Sequence, residues 1–233
     1  MKNLIVCLSA LLILLSGLAT AGLLEDAAEP YDKGNFVQAF KLFQPLAARG
    51  FAGAQYKLGV MYDEGQGITQ DYGQAAYWFR KAAAQGNALA QSNLGFMYAE
   101  GHGVTQDYDQ AADWFRKAAA QGDALAQSKL GVMYDEGQGV TQDYRQAADW
   151  FRKAAAQGLA GAQFILGFMY YEGQGVTQDY VRAHMWSNFA AVKGDGNAVK
   201  LRDQVASQMT QSQIVEAQKL AKECEKRNYK NCD

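Results

Sequence analysis

The tripeptide Gly-x-Gly returns along this chain as Gly65-Gln66-Gly67, Gly101-His102-Gly103, Gly137-Gln138-Gly139 and Gly173-Gln174-Gly175, each copy 36 residues after the last. A fixed period of this size means that one structural unit is repeated, and a unit so small cannot bury an apolar face by itself. The units run over residues 51–86, 87–122, 123–158 and 159–194, and the second and third differ at only six of 36 positions. They must stack and share a continuous core.

Each unit reads as two helices. In the first unit Ala54, Leu58, Met61 and Tyr62 fall at helical spacing, and Gly65 follows where a left-handed C-terminal glycine belongs. The second helix starts at Asp71, with Gln74 three residues on as in a capping box; Asp107/Gln110 and Asp143/Gln146 repeat the pair, whereas Asp179 is followed by Arg182 and is expected to cap without the reciprocal bond. Ala75, Trp78, Phe79, Ala82 and Ala83 make the apolar face of that helix. Gly59, Gly95, Gly131 and Gly167 lie inside first helices, where glycine costs about 1 kcal/mol relative to alanine. Their recurrence predicts close helix–helix approach. The pattern therefore predicts an all-α, right-handed α-solenoid of antiparallel helix pairs. Residues 22–50 read as a degenerate first repeat, with Pro45 expected to bend its second helix, and residues 195–233 as C-terminal capping helices.

The ends speak to location. Residues 1–21 combine Lys2, an apolar run from Leu4 to Leu15 and the small-residue site Ala19-Thr20-Ala21, the anatomy of a signal peptide cleaved after Ala21. The run is short against the roughly 20 residues that span a bilayer, so no transmembrane segment is expected after cleavage. Cys224 and Cys232 would remain, an even count that favours a disulfide in an exported chain. A periplasmic or secreted monomer is expected. With a formal charge of −2 and no long run of like charge, the chain lacks the footprint of a nucleic-acid binder.

Catalytic chemistry needs convergent groups, and the sequence offers none: it has no S-x-x-K, K-T-G, H-E-x-x-H or G-x-S-x-G motif. Asp63/Glu64 and Asp135/Glu136 are adjacent on helices and point apart. His102 replaces a turn glutamine and His184 sits in the variant last unit; both read as ordinary histidines. Trp78, Trp114, Trp150 and Trp186, one per unit, read as core or inter-unit packing. No catalytic residue, metal or cofactor is expected.

A functional pointer comes from where the copies disagree. At about 100° per residue, the variable first-helix positions fall on one arc of about 120°, opposite the constant ones. Such a stripe is a candidate concave groove for a protein or peptide: Tyr56, Lys57, Val60 and Asp63; Asn93 and Phe96; Lys129, Val132 and Asp135; Phe164, Phe168 and Tyr171. Apolar residues hold positions 60, 96, 132 and 168, and the last unit is strongly aromatic, as an interaction hot spot would be.

Ala126, Gln127, Leu130, Gly131, Met133, Tyr134, Gly137, Gly139, Val140, Asp143, Ala147, Trp150, Lys153 and Gly158 together resemble the Sel-one-like repeat, a relative of the tetratricopeptide repeat. The resemblance covers residues 24 to 225. It implies an adaptor that binds peptides or proteins, with exported bacterial members linked to envelope biology or host contact. One exported cysteine-rich subgroup has a disulfide in each repeat and is described as binding penicillin or having β-lactamase activity, which makes a β-lactam or cell-wall-fragment binder the alternative; this chain lacks those repeat cysteines. A third reading is a purely structural envelope spacer.

Overall fold

The computed structural model describes residues 22–232. The expected signal peptide, residues 1–21, lies outside them. The described residues form twelve helices and no strand: α1 over 22–32, α2 Phe36–Ala48, α3 Ala52–Glu64, α4 Tyr72–Ala84, α5 Ala88–Glu100, α6 Tyr108–Ala120, α7 Ala124–Glu136, α8 Tyr144–Ala155, α9 Ala160–Glu172, α10 Tyr180–Val192, α11 Gly196–Ala206 and α12 Gln211–Lys226. They fall into two compact units, one ending at Thr105 and the other beginning at Gln106. Each is a stack of antiparallel helix pairs, so the all-α solenoid class read from the period holds.

Glycine sets the spacing within a pair. A β-carbon at Gly59 would sit 2.5 Å from the Phe79 ring, and in the second unit one at Gly131 would lie 2.8 Å from Phe151. Ser187 occupies the corresponding ring position in α10, and here α9 approaches backbone: a β-carbon at Gly167 would meet Ser187 Oγ at 2.5 Å and the Ala183 carbonyl at 3.2 Å. The Ser187 hydroxyl is buried and has no hydrogen-bond partner among the described residues.

Buried glutamines join one pair to the next. Gln55 and Gln91 donate from Nε2 to the carbonyls of Ala47 and Ala83 at 3.1 Å, and Gln127 and Gln163 donate to Ala119 and Ala155 at 3.2 Å. Each acceptor lies in the last turn of the preceding helix. A second glutamine completes the link: Gln85 donates to the Gly50 carbonyl (2.9 Å) and to Gln55 Oε1 (2.7 Å), and Gln157 to the Gly122 carbonyl (2.8 Å) and Gln127 Oε1 (2.9 Å). Lys193 takes this role in the last repeat, donating to the Gly158 carbonyl at 2.5 Å and to Gln163 Oε1 at 3.0 Å.

The Gly-x-Gly connector is structural. Gly65, Gly101, Gly137 and Gly173 have φ between 69° and 75° and close the first helices. The second glycine packs on the preceding repeat: a side chain on Gly139 would overlap the Tyr108 carbonyl, and one on Gly175 the Tyr144 carbonyl. Gln142, from the same connector, donates to the Asp135 carbonyl at 2.7 Å and to the Tyr144 hydroxyl at 3.1 Å.

One expectation needs correction. Asp71, Asp107 and Asp143 cap their helices by accepting from the N–H of Gln74, Gln110 and Gln146, but the reciprocal half of the box is absent. The N–H groups of Asp71 and Asp143 are already used, donating to the Tyr62 and Tyr134 carbonyls at 2.9 Å. The Gln110 and Gln146 amides turn instead to the Asp107 and Asp143 carboxylates. The full box forms at Thr210/Gln213. The four tryptophans, expected as core or inter-unit packing, are not buried alike. Trp78, Trp114 and Trp150 are half-buried, and Lys117 and Lys153 lie 3.9 and 3.7 Å above the rings of Trp114 and Trp150. Trp186 alone is 1% exposed; Phe189 stands in place of the lysine, 5.6 Å from it, and Tyr229 packs on Phe189 at 5.1 Å. Helices α11 and α12 pack on α10, and beyond α12 the Cys224–Cys232 disulfide closes the loop that carries Tyr229.

Gly131→Leu is expected to destabilise by the roughly 1–3 kcal/mol typical of overpacking, seen as a lower denaturant midpoint. Trp186→Ala should cost about 3–5 kcal/mol as a buried aromatic truncation, and Trp150→Ala markedly less. Equal losses at the two tryptophans would contradict this division into core and surface rings.

Candidate functional site

The variable first-helix positions divide into three environments. In the N-terminal unit, Asp63, Asn93 and Phe96 converge on a recess of about 210 Å³, whose wall also includes Phe79, Glu100 and His102. Helix α3 delivers Asp63 from its last turn, and α5 delivers Asn93 and Phe96 from one face. Tyr56 and Lys57 point elsewhere: the Tyr56 ring tilts against Phe79 at 5.9 Å, and Lys57 Nζ lies 4.0 Å over the Tyr31 ring of α1. Val60 is half-buried.

His102 was read as an ordinary turn residue, yet it is part of this recess. Its ring stacks on Tyr72 at 5.0 Å, and Nδ1 lies 3.3 Å from Glu100 Oε2. Its difference from Gln66 and Gln138, one of the six between near-identical repeats, was the available signal.

In the C-terminal unit Lys129 is exposed, whereas Val132 packs on the core. Asp135 accepts from Gln174 Nε2 at 3.2 Å. The aromatic group of α9 is split by the C-terminal helices. Phe164 packs against the cluster of Ala190, Ala191 and Ala198, and the Tyr171 hydroxyl accepts from Gln204 and Gln208 at 2.9 and 2.8 Å. Phe168, by contrast, stays 41% exposed. It is the exposed aromatic of α9.

Electrostatics single out the acids. Partial burial, with the nearby Glu64 charge adding to it, pushes the Asp63 carboxyl above the usual carboxylate range; His102 opposes the shift. Burial moves Asp135 the same way. Among the described residues no group of three or more His, Cys, Asp and Glu side chains is placed to hold a metal ion, and no helix is long and apolar enough to cross a membrane.

The model of the Sel1 repeat matches residues 29–51, 52–87, 88–123, 124–159 and 160–195. The chain belongs to the Sel1 repeat family. Among solved structures, a Sel1 repeat protein from Oxalobacter formigenes is 37% identical over 77% of this chain and 74% of that one, with a TM-score of 0.72. A protective antigen of uropathogenic Escherichia coli strains, displaying the same repeat fold, is 30% identical over 90% of this chain, with a TM-score of 0.58. The present chain spans 55% of that protein's length. No curated protein matches the chain. These findings establish a Sel1 repeat scaffold and lend no support to the β-lactam alternative.

Because the folded state holds the Asp63 proton more tightly than the unfolded chain does, its ionisation opposes folding as pH rises through and above the usual carboxylate range. Asp63→Asn should therefore raise the melting midpoint at pH 7, and the gain should disappear below the usual carboxylate range. An unchanged midpoint at pH 7 would show that the carboxylate bears no burial cost.

Proposed function

We propose that this Sel1 repeat protein is a non-enzymatic scaffold that binds a peptide or protein segment on its first-helix surface, in the bacterial envelope or secreted. The observation that carries the reading is the recess in the N-terminal unit. There a partly buried carboxylate, Asp63, stands beside Asn93 and the apolar edge of Phe96. A few polar groups converging in a largely preformed hollow are what a recognition site requires. Helix packing does not require an acid there, since Ala99 and Tyr171 take the place of Asp63 in other repeats. Phe168 supplies a second apolar anchor in the C-terminal unit.

Export is supported by the signal-like residues 1–21 and by the Cys224–Cys232 pair, which suits an oxidising compartment. A relative described as a protective antigen fits such a location.

The test is capture from envelope extract on immobilised protein, wild type against Phe96→Ala/Phe168→Ala, with partners identified by mass spectrometry. The double variant should lose partners that the wild type retains while its far-ultraviolet circular dichroism stays unchanged. Undiminished capture would remove the first-helix surface from consideration.

A further inference from the structure

A hollow of about 720 Å³ in the C-terminal unit lies on the second-helix side between α8, the loop after α9, and α10. Three guanidinium groups line it: Arg145 and Arg152 from α8, and Arg182 from α10. Arg152 is a repeated element, since Arg80 and Arg116 hold its position in other units; its Nη2 lies 3.4 Å from the Tyr170 hydroxyl, as Arg80 lies 3.2 Å from Tyr98. The other two are particular to this place. Position 145 is Gly73, Asp109 or Val181 in the other units, and position 182 is Gln74, Gln110 or Gln146. Two independent departures from the repeat thus bring cations to one hollow, whose lining also includes Asp179.

Gathering like charges is unfavourable unless anions offset them. Within the chain the anions used are carboxylates: Arg152 pairs with Asp149 at 2.6 Å and Arg182 with Asp179 at 2.5 Å. The Asp143 carboxyl is held below the usual range by hydrogen bonds from the Gln146 N–H and side-chain amide, with the Arg145 N–H and charge adding to them. Nor does the hollow end there. Arg182 also borders a neighbouring recess with Arg227 and its ion-pair partner Glu223, 3.8 Å apart, and Arg152 another with Lys153, both alongside the disulfide loop.

We propose that this arginine-lined hollow is a second binding site, separate from the first-helix surface, for an extended acidic peptide segment of a protein partner. Guanidinium forks match carboxylates bidentately, and the run of adjoining recesses suits several residues rather than one small ion. A nucleic acid or other long polyanion fits less well, because the chain as a whole carries a formal charge of −2.

The experiment is fluorescence anisotropy with labelled hexaglutamate and the purified protein at two salt concentrations. Hexaglutamate should bind, more weakly at higher salt, and hexalysine should not. Arg145→Asp/Arg182→Gln installs residues that other repeats carry at these positions, so the melting midpoint should change little while affinity falls at least tenfold. The Phe96→Ala/Phe168→Ala variant should bind hexaglutamate as the wild type does, which separates this site from the first-helix surface. Three results would each overturn the proposal: no hexaglutamate binding at millimolar concentration, equal binding by the arginine double variant, or stronger displacement by tripolyphosphate or heparin than by unlabelled hexaglutamate. The last would make the hollow a phosphate or sulfate site.

Discussion

One buried amide per repeat decides where the helices can sit. Gln127 donates to the Ala119 carbonyl in the last turn of α6 and accepts from Gln157 at the end of α8, which also holds the Gly122 carbonyl. Three helices and a turn meet at one side chain. The net worth of each such bond is only about 0.5–1.5 kcal/mol, but leaving a buried partner unmade costs about 1–3 kcal/mol, so alternative offsets between neighbouring helices are penalised more than the native one is favoured. The glycine contacts complement this polar register. Gly131 lets α7 reach the Phe151 ring of α8, and the amide fixes how far along its neighbours α7 lies.

Much of this was legible because the chain prints it four times. The helix pairs, the left-handed glycines, the aspartate caps and the close approach at Gly59 and Gly131 all follow from local chemistry repeated at one interval. What failed depended on contacts outside the local window. The capping boxes are incomplete because the Asp143 N–H is already bonded to the Tyr134 carbonyl, nine residues upstream and on another helix. Trp150 and Trp186 occupy the same register, but one is roofed by Lys153 and the other by Phe189 and Tyr229. Periodicity assigns a face without saying what covers it. Gln127 is among the residues that carry the family resemblance, but its role needed the positions of neighbouring helix ends.

For the site, the within-chain comparison found Asp63, Asn93 and Phe96 on one surface, and the recess joins them. It could not separate Phe168 from Phe164 and Tyr171, because their difference lies in α11 and the residues after it, which have no counterpart in the repeats. His102 was passed over since a turn-tip histidine has no local signature; only its proximity to Glu100 and Tyr72 gives it a place in the wall.

The same reasoning ranks the divergent positions. Once the glutamine links and glycine contacts determine the backbone, substitutions at solvated positions change stability by no more than about 0.5 kcal/mol. Variation there is thermodynamically cheap, and its presence alone means little. Two departures stand apart. Asp63 keeps a carboxylate where burial opposes its charge, and Arg145 adds a third cation to a hollow already holding two. Neither is required by the fold, since other repeats do without them at the same positions. The binding roles proposed for Asp63 and Arg145 rest on that dispensability and on the hollows they line, not on variability as such.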